Sequence, residues 1–172
     1  MTRAANARLA GFTFLFYIAA GITSLALADR AHVRDVLTVL TSLSALVLGV
    51  TLYAITRDED QDLALLALTC RVIEAIPGGE GVGAIFFAVG STLFAWLLLR
   101  GRMIPVSLAG LGVIASGQLV VTLFVQRAGM LAANNWSSSV TWVLWLPMLI
   151  FELAFAAWLL VKGVAEPRRR AP

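Results

Sequence analysis

The sequence predicts an all-α integral membrane bundle of six transmembrane helices with both termini in the cytoplasm. Three observations carry that reading. First, 60% of the 172 residues are hydrophobic and only 13% are charged, with a mean hydropathy of +0.89; a soluble domain carries roughly a quarter charged residues. Second, the apolar residues fall into six runs bounded by polar or glycine-rich segments. Third, the basic residues collect on alternate connections. A water-soluble fold could not cover this much apolar surface, whereas a bundle in lipid does not need to.

A hydrocarbon core about 30 Å thick takes roughly 20 helical residues. The first run covers residues 9–27 and the second 36–55, with the polar segment 29–35 between them. The third covers 63–77, after the charged turn 57–62, and the fourth covers 82–99 and ends on Arg100-Gly101-Arg102. The fifth covers 105–125, a polar stretch follows to residue 139, and the sixth covers 140–161. The length fits one transmembrane domain over residues 1–172.

Orientation follows from counting cations by side. With the N-terminus inside, the cytoplasmic segments hold Arg3, Arg8, Arg57, Arg100, Arg102, Lys162, Arg168, Arg169 and Arg170. The outer loops hold Arg30, Arg34 and Arg127, and Arg71 lies within a span. Nine against three sets the topology. The competing reading makes the first run a cleaved signal peptide, since basic residues precede it and Ala26-Leu27-Ala28 fits an A-x-A site. Its apolar stretch exceeds the usual 7–15 residues, and cleavage would leave five helices.

The pI near 9.8 does not point to nucleic acid, because the cations flank apolar runs and form no basic face. Cys70 is the single cysteine, which excludes an intrachain disulfide framework and a thiolate metal site.

The third and fourth runs are short. Residues 63–99 number 37 and must supply two crossings and a turn, where two full crossings alone take about 40. The turn 77–83, Pro-Gly-Gly-Glu-Gly-Val-Gly, breaks helix geometry. Unpaired backbone at membrane depth survives only when protein buries it or a wet cavity surrounds it. The expectation is a hairpin recessed below the outer surface; the plain alternative is a tight turn in a thinned bilayer. The glycines are not a phosphate loop, since no strand precedes them and no Gly-Lys-Ser/Thr follows.

Ionisable groups inside a span are costly and therefore functional candidates. Arg71 and Glu74 stand at i and i+3 on one helix face. Counting from the inner edges, Arg71 lies about 12 Å deep, Glu152 about 14 Å, Glu74 about 16 Å and Gln118 about 20 Å. An interior cluster of Arg71, Glu74, Gln118 and Glu152 is the economical arrangement. One cation with two carboxyl groups leaves excess negative charge, so one carboxyl is expected to share or retain a proton. The bland alternative is that Arg71 simply ties the third helix to the sixth. Glu80, carried by the glycine-rich turn, joins the candidate ligand or proton residues.

Trp136, Trp142 and Trp145 gather at the outer end of the sixth run, as interfacial aromatics do; Trp142 and Trp145 are also candidates for stacking a ligand. Pro147 should kink that helix and free the carbonyl of Val143. Ala45/Gly49 and Gly112/Ser116 are small-xxx-small pairs, suited to close helix contacts within the chain or to a homodimer. His32 reads as a solvated loop residue.

Several of these residues fall into a known pattern. Arg8-Leu9-Ala10-Gly11 leads into a first span with Tyr17 and Gly21; Cys70-Arg71-Val72-Ile73-Glu74-Ala75 follows residues 63–68; Leu97-Leu98-Leu99-Arg100 precedes Ile104-Pro105 and Leu108-Ala109-Gly110; and Pro147, Phe151-Glu152-Leu153 and residues 158–163 close it. From about residue 8 to 163 the chain resembles the bacterial multi-pass membrane family known as domain of unknown function 4386. The sequence departs from it in its very short third-to-fourth connection. The resemblance implies six helices and a bacterial inner-membrane address, and supplies no reaction.

Intramembrane histidine is absent from the sequence, which removes paired-histidine haem ligation, histidine-box iron sites and a Ser–His protease. No DDxxD-type run exists to hold Mg²⁺ on a diphosphate. No metal and no cofactor is implied. Three functions remain. One is binding or transport of a lipophilic or cationic small molecule, proton-linked through Glu74 and Glu152. The second is a metal-independent membrane enzyme of cyclase or isomerase type, using Glu74 and Glu152 as catalytic acids, with Tyr17 or Tyr53 in support. The third is an assembly or regulatory partner in which buried charge only holds the bundle.

Overall fold

The computed structural model describes residues 2–27, 29–76, 82–130 and 139–166, with side chains of the last segment described from Thr141. It contains α1 (Arg3–Ala26), α2 (Ala31–Thr56), α3 (Gln61–Glu74), α4 (Val82–Arg100), α5 (Val106–Arg127) and α6 (Ser139–Val161). No strand occurs among the described residues. Five of the helices (all but α3) are long and apolar enough to cross a bilayer. Large apolar side chains such as Phe12, Ile114, Val121 and Val143 point outward and are more than half exposed. In water such a surface would aggregate; it belongs in lipid.

Each helix packs on the next, and α6 returns to α1, so the six form a closed ring in chain order. α2 also touches α4, which wedges the short α3 against both. Glycines permit the closest of these approaches. A Cβ on Gly49 of α2 would lie 2.9 Å from Cβ of Arg71, and one on Gly90 of α4 would lie 3.0 Å from Cβ of Cys70. α5 is held likewise: a Cβ on Gly112 would meet Phe151 of α6 at 2.5 Å. Gly49 and Gly112, one from each small-xxx-small pair, thus face neighbouring helices of the same chain.

The bundle differs between its two ends. At the end where α1 and α3 begin, Ala7, Ala10 and Phe14 of α1 pack with Phe155, Ala156 and Leu159 of α6 in a dry core. Phe14 meets Phe155 edge-on at 5.6 Å. Polar contacts lace the rim there. Asp60 caps α3 through Oδ1, which accepts from the Leu63 N–H at 3.1 Å, while its Oδ2 accepts from Arg100 at the end of α4, also at 3.1 Å. Arg100 pairs further with Glu59, and Arg3 donates to Asp58 and to the carbonyl of Ile55. At the opposite end the helices enclose a cavity.

Helix bounds differ modestly from the apolar runs. α2 begins at Ala31, because hydropathy marks the lipid-facing part of a helix while the polar residues 31–35 continue the same hydrogen-bond ladder. α3 has only 14 residues, and its helical part is about 21 Å long. The glycine-rich turn lies outside the described residues from 77 to 81; at its far side, a Cβ on Gly83 would sit 3.4 Å from the carbonyl oxygen of Glu74.

Candidate functional site

The cavity has a volume of about 500 Å³. It is built from the second half of α1 (Tyr17 to Leu25), Thr38 to Ala45 of α2, the end of α3, the first turns of α4 and Trp142 to Glu152 of α6, with no contribution from α5. Its wall is mainly aliphatic and aromatic, interrupted by the carboxyl groups of Glu74 and Glu152 and by the hydroxyl residues Ser24, Thr38, Thr41 and Ser42.

Arg71 anchors the site from behind. Its side chain is 1% exposed, and Nη1 donates to Oε2 of Glu74 at 2.8 Å. Nη2 reaches Oγ of Ser91 on α4 at 3.4 Å, and the guanidinium carbon sits 4.9 Å from the ring centroid of Phe87. The other carboxylate oxygen of Glu74, Oε1, accepts a 2.8 Å hydrogen bond from the Tyr17 hydroxyl of α1. Glu74 ends α3, at the negative pole of the helix dipole. The Arg71 and Tyr17 donors offset that unfavourable position.

Glu152 is placed differently. It lies midway along α6, is 5% exposed and lines the cavity. Its Oε1 is buried and has no hydrogen-bond donor among the described residues. It interacts through space with both Arg71 and Glu74. Trp145, Leu149 and Glu152 follow one another at helical spacing along the same wall. Trp142 and Met148 also line it. Three rings form a ladder across the cavity floor: Tyr17 lies over Phe87 at 6.4 Å, and Phe87 over Trp145 at 6.0 Å.

The residues expected from sequence thus divide. Arg71, Glu74, Glu152, Trp142 and Trp145 come to one place, Arg71 behind the wall and the others on it. Gln118 does not join them: it is half-buried on α5, which makes no close approach to α3. Glu80 and Trp136 lie outside the described residues. Tyr53 packs against the core from α2 and is not on the cavity wall. Tyr17, expected as a supporting group alongside Tyr53, joins the Arg71–Glu74 cluster, and Phe87 and Ser91 complete it without having been placed there by sequence. A signal for Tyr17 existed, since it is eight residues into the first run and so about 12 Å deep, level with Arg71.

A ring of apolar helices around a cavity with buried charge defines a multi-pass, membrane-spanning helical protein. The chain belongs to the family described as Domain of unknown function (DUF4386), whose profile matches residues 77–163. That stretch takes in α4, α5, α6 and Glu152, while Arg71 and Glu74 stand just ahead of it. No curated protein and no solved structure matches the chain.

Proposed function

We propose that this is a six-span protein of the bacterial cytoplasmic membrane, with both termini inside, that binds or transports a lipophilic or cationic small molecule. The observation that carries the reading is the cavity of about 500 Å³, which falls in the range of sites for small ligands and combines an apolar wall with a few convergent polar groups. A bundle whose buried charges served only to hold helices together would close around them. Here Glu152 lines a cavity instead, and its Oε1 has no donor among the described residues. Proton linkage is part of the proposal: one arginine stands against two carboxyl groups, so charge balance in the site depends on a proton or on the ligand.

The topology is supported by the nine-to-three distribution of cations. Under it, the dry end of the bundle with its Asp60–Arg100 contacts is cytoplasmic and the cavity lies in the outer half. Mass spectrometry of lipophilic molecules co-purifying with the protein tests the ligand reading. A small molecule should accompany the wild type and be lost from Gly21→Phe. Gly21 lines the cavity, and a Cβ there meets nothing within 4 Å, so the larger ring should fill the space without disturbing the helices. Recovery of the same molecules from both proteins would refute it.

A further inference from the structure

Resting on the reading of the cavity as a ligand site, we infer a division of labour between its two carboxyl groups and a ligand class. Glu152 is the group that meets the ligand, the ligand is a monocationic amphiphile carrying an N–H donor, and Glu74 is a positioning residue.

The oxygens of Glu74 are both taken, Oε1 by Tyr17 and Oε2 by Arg71. The guanidinium charge is matched by Glu74 at 2.8 Å and is buried, although its Nε–H has no acceptor among the described residues. Glu152 lines the cavity too, and among the described carboxyl groups on its wall it is the one with a buried oxygen, Oε1, that has no donor. A buried acceptor left without a donor carries a penalty that a ligand can relieve only by bringing the donor itself. An alkylammonium head does so and also supplies the charge that the site lacks.

The surroundings favour the same head group. Tyr17, Phe87 and Trp145 form a ladder of π-systems next to the carboxyl groups, and ring faces attract cations. The guanidinium over Phe87 already uses one such face. Elsewhere the wall offers Ile18, Ile22, Leu25 and Leu149 to an apolar body, with the hydroxyls of Thr38 and Thr41 on the α2 side. An anion would meet two carboxyl groups and negative ring faces. A neutral ligand of equal shape, even one with a hydroxyl to donate, would leave the charge of the second carboxyl group unmatched. Selection for charge therefore comes from Glu152, while affinity for the apolar body comes from the wall.

Three probes of common shape test this: naphthylethylammonium, naphthylethanol and naphthylacetate, titrated calorimetrically against the protein in lipid nanodiscs with empty nanodiscs as reference. The ammonium should bind about tenfold or more tighter than the alcohol, and the acetate weakest. Glu152→Gln should bring the ammonium down to the affinity of the alcohol while leaving the melting temperature near that of wild type. Glu74→Gln should instead lower the melting temperature, because it strands Arg71, and should reduce but not abolish the preference for ammonium over alcohol, because Glu152 still meets the ligand from a less fixed site. Trp145→Leu supplies an independent arm if Glu152→Gln does not fold: it should weaken the ammonium several-fold and the alcohol little. Equal binding of ammonium and alcohol, unchanged by Glu152→Gln, would overturn the assignment and leave the cavity a neutral-ligand site. Absence of binding by all three, with Gly21→Phe indistinguishable from wild type, would overturn the ligand-site reading itself.

Discussion

The hydroxyl of Tyr17 and Oε1 of Glu74 are 2.8 Å apart and join α1 to α3, two helices that otherwise make no close approach. The bond spans the cavity side of the ring. Tyr17→Phe removes the hydroxyl and keeps the ring over Phe87. A hydrogen bond to a charged acceptor is worth about 1.5–3 kcal/mol when sealed from water. Average membrane side-chain hydrogen bonds are worth only about 0.6 kcal/mol. With a cavity alongside, water can replace part of what is lost, so a loss of about 1 kcal/mol is expected. Thermal unfolding in detergent measures it; no change in melting temperature would mean that the bond does not stabilise the ring.

Arg71 and Glu74 should behave as one unit. Arg71→Met leaves a buried carboxylate without its cation, which costs about 3–5 kcal/mol. Glu74→Gln alone leaves the guanidinium stranded and should cost a similar amount. The double variant removes both charges together and should be more stable than the sum of the single losses implies. A double-mutant cycle on chemical unfolding reads the coupling. Additive losses would show that the 2.8 Å pair is not energetically coupled.

Part of this arrangement is legible in sequence, and the boundary has a physical cause. Hydropathy reports which stretches tolerate lipid, so the apolar runs and the shortness of the third are readable. A rise of about 1.5 Å per residue fixes height along the membrane normal, which puts Arg71 and Glu152 at one level. Height says nothing about position around the ring. Gln118 has nearly the height of Glu74 but sits on α5, beyond α4 from α3, and so drops out of the cluster. Tyr17 has the right height and the right position, but a tyrosine in an apolar run carries no mark of its partner until α1 is known to close the ring on α6.

Two glycines on α5 should respond in opposite directions to alanine. Gly112 faces Phe151, whose Cε2 would lie 2.5 Å from the new Cβ. Overpacking of this kind costs about 1–3 kcal/mol. Gly117, five residues on, has nothing within 4 Å of its Cβ position. Gly117→Ala should therefore gain helix propensity, about 0.5–1 kcal/mol. Melting temperatures of the two variants check the contrast. If both fell, α5 would have to be packed on its outer face as well, as in a dimer.

The end of α4 carries strain that can be relieved. Its last turn closes with Arg102 N–H on the Leu99 carbonyl and Met103 N–H on the Leu98 carbonyl, the double bond of a Schellman cap. Such a cap places its C′ residue in the left-handed region, and here that residue is Arg102 at φ 50°. The corresponding cap of α5 uses Gly129 at φ 72°. Arg102→Gly should stabilise the fold by about 0.5–1 kcal/mol, the left-handed penalty of an L-residue less the entropy glycine adds to the unfolded chain. A lowered melting temperature would indicate that the Arg102 side chain contributes more than its backbone costs.

Whether α3 crosses the membrane decides the position of everything after it. Its 14 residues give about 21 Å of helix, against a hydrocarbon core of about 30 Å. Parity makes the question decidable without locating α3 itself. Arg57 precedes α3 and Arg102 follows α4, and both are exposed. If α3 and α4 both cross, the two positions lie on the same side; if α3 does not, they lie on opposite sides. Cys70 is buried and is the single cysteine, so Cys70→Ala provides a background for single cysteines at 35, 57 and 102. With the proposed topology, a membrane-impermeant maleimide should label Asp35→Cys on intact cells and should label Arg57→Cys and Arg102→Cys only after permeabilisation. Labelling of Arg102→Cys on intact cells with Arg57→Cys protected would reduce the count to five and move the C-terminus outside. The charge at the α4–α5 turn argues against that result: Arg100 and Arg102 would both be outside, against the cation bias that orients the rest of the chain.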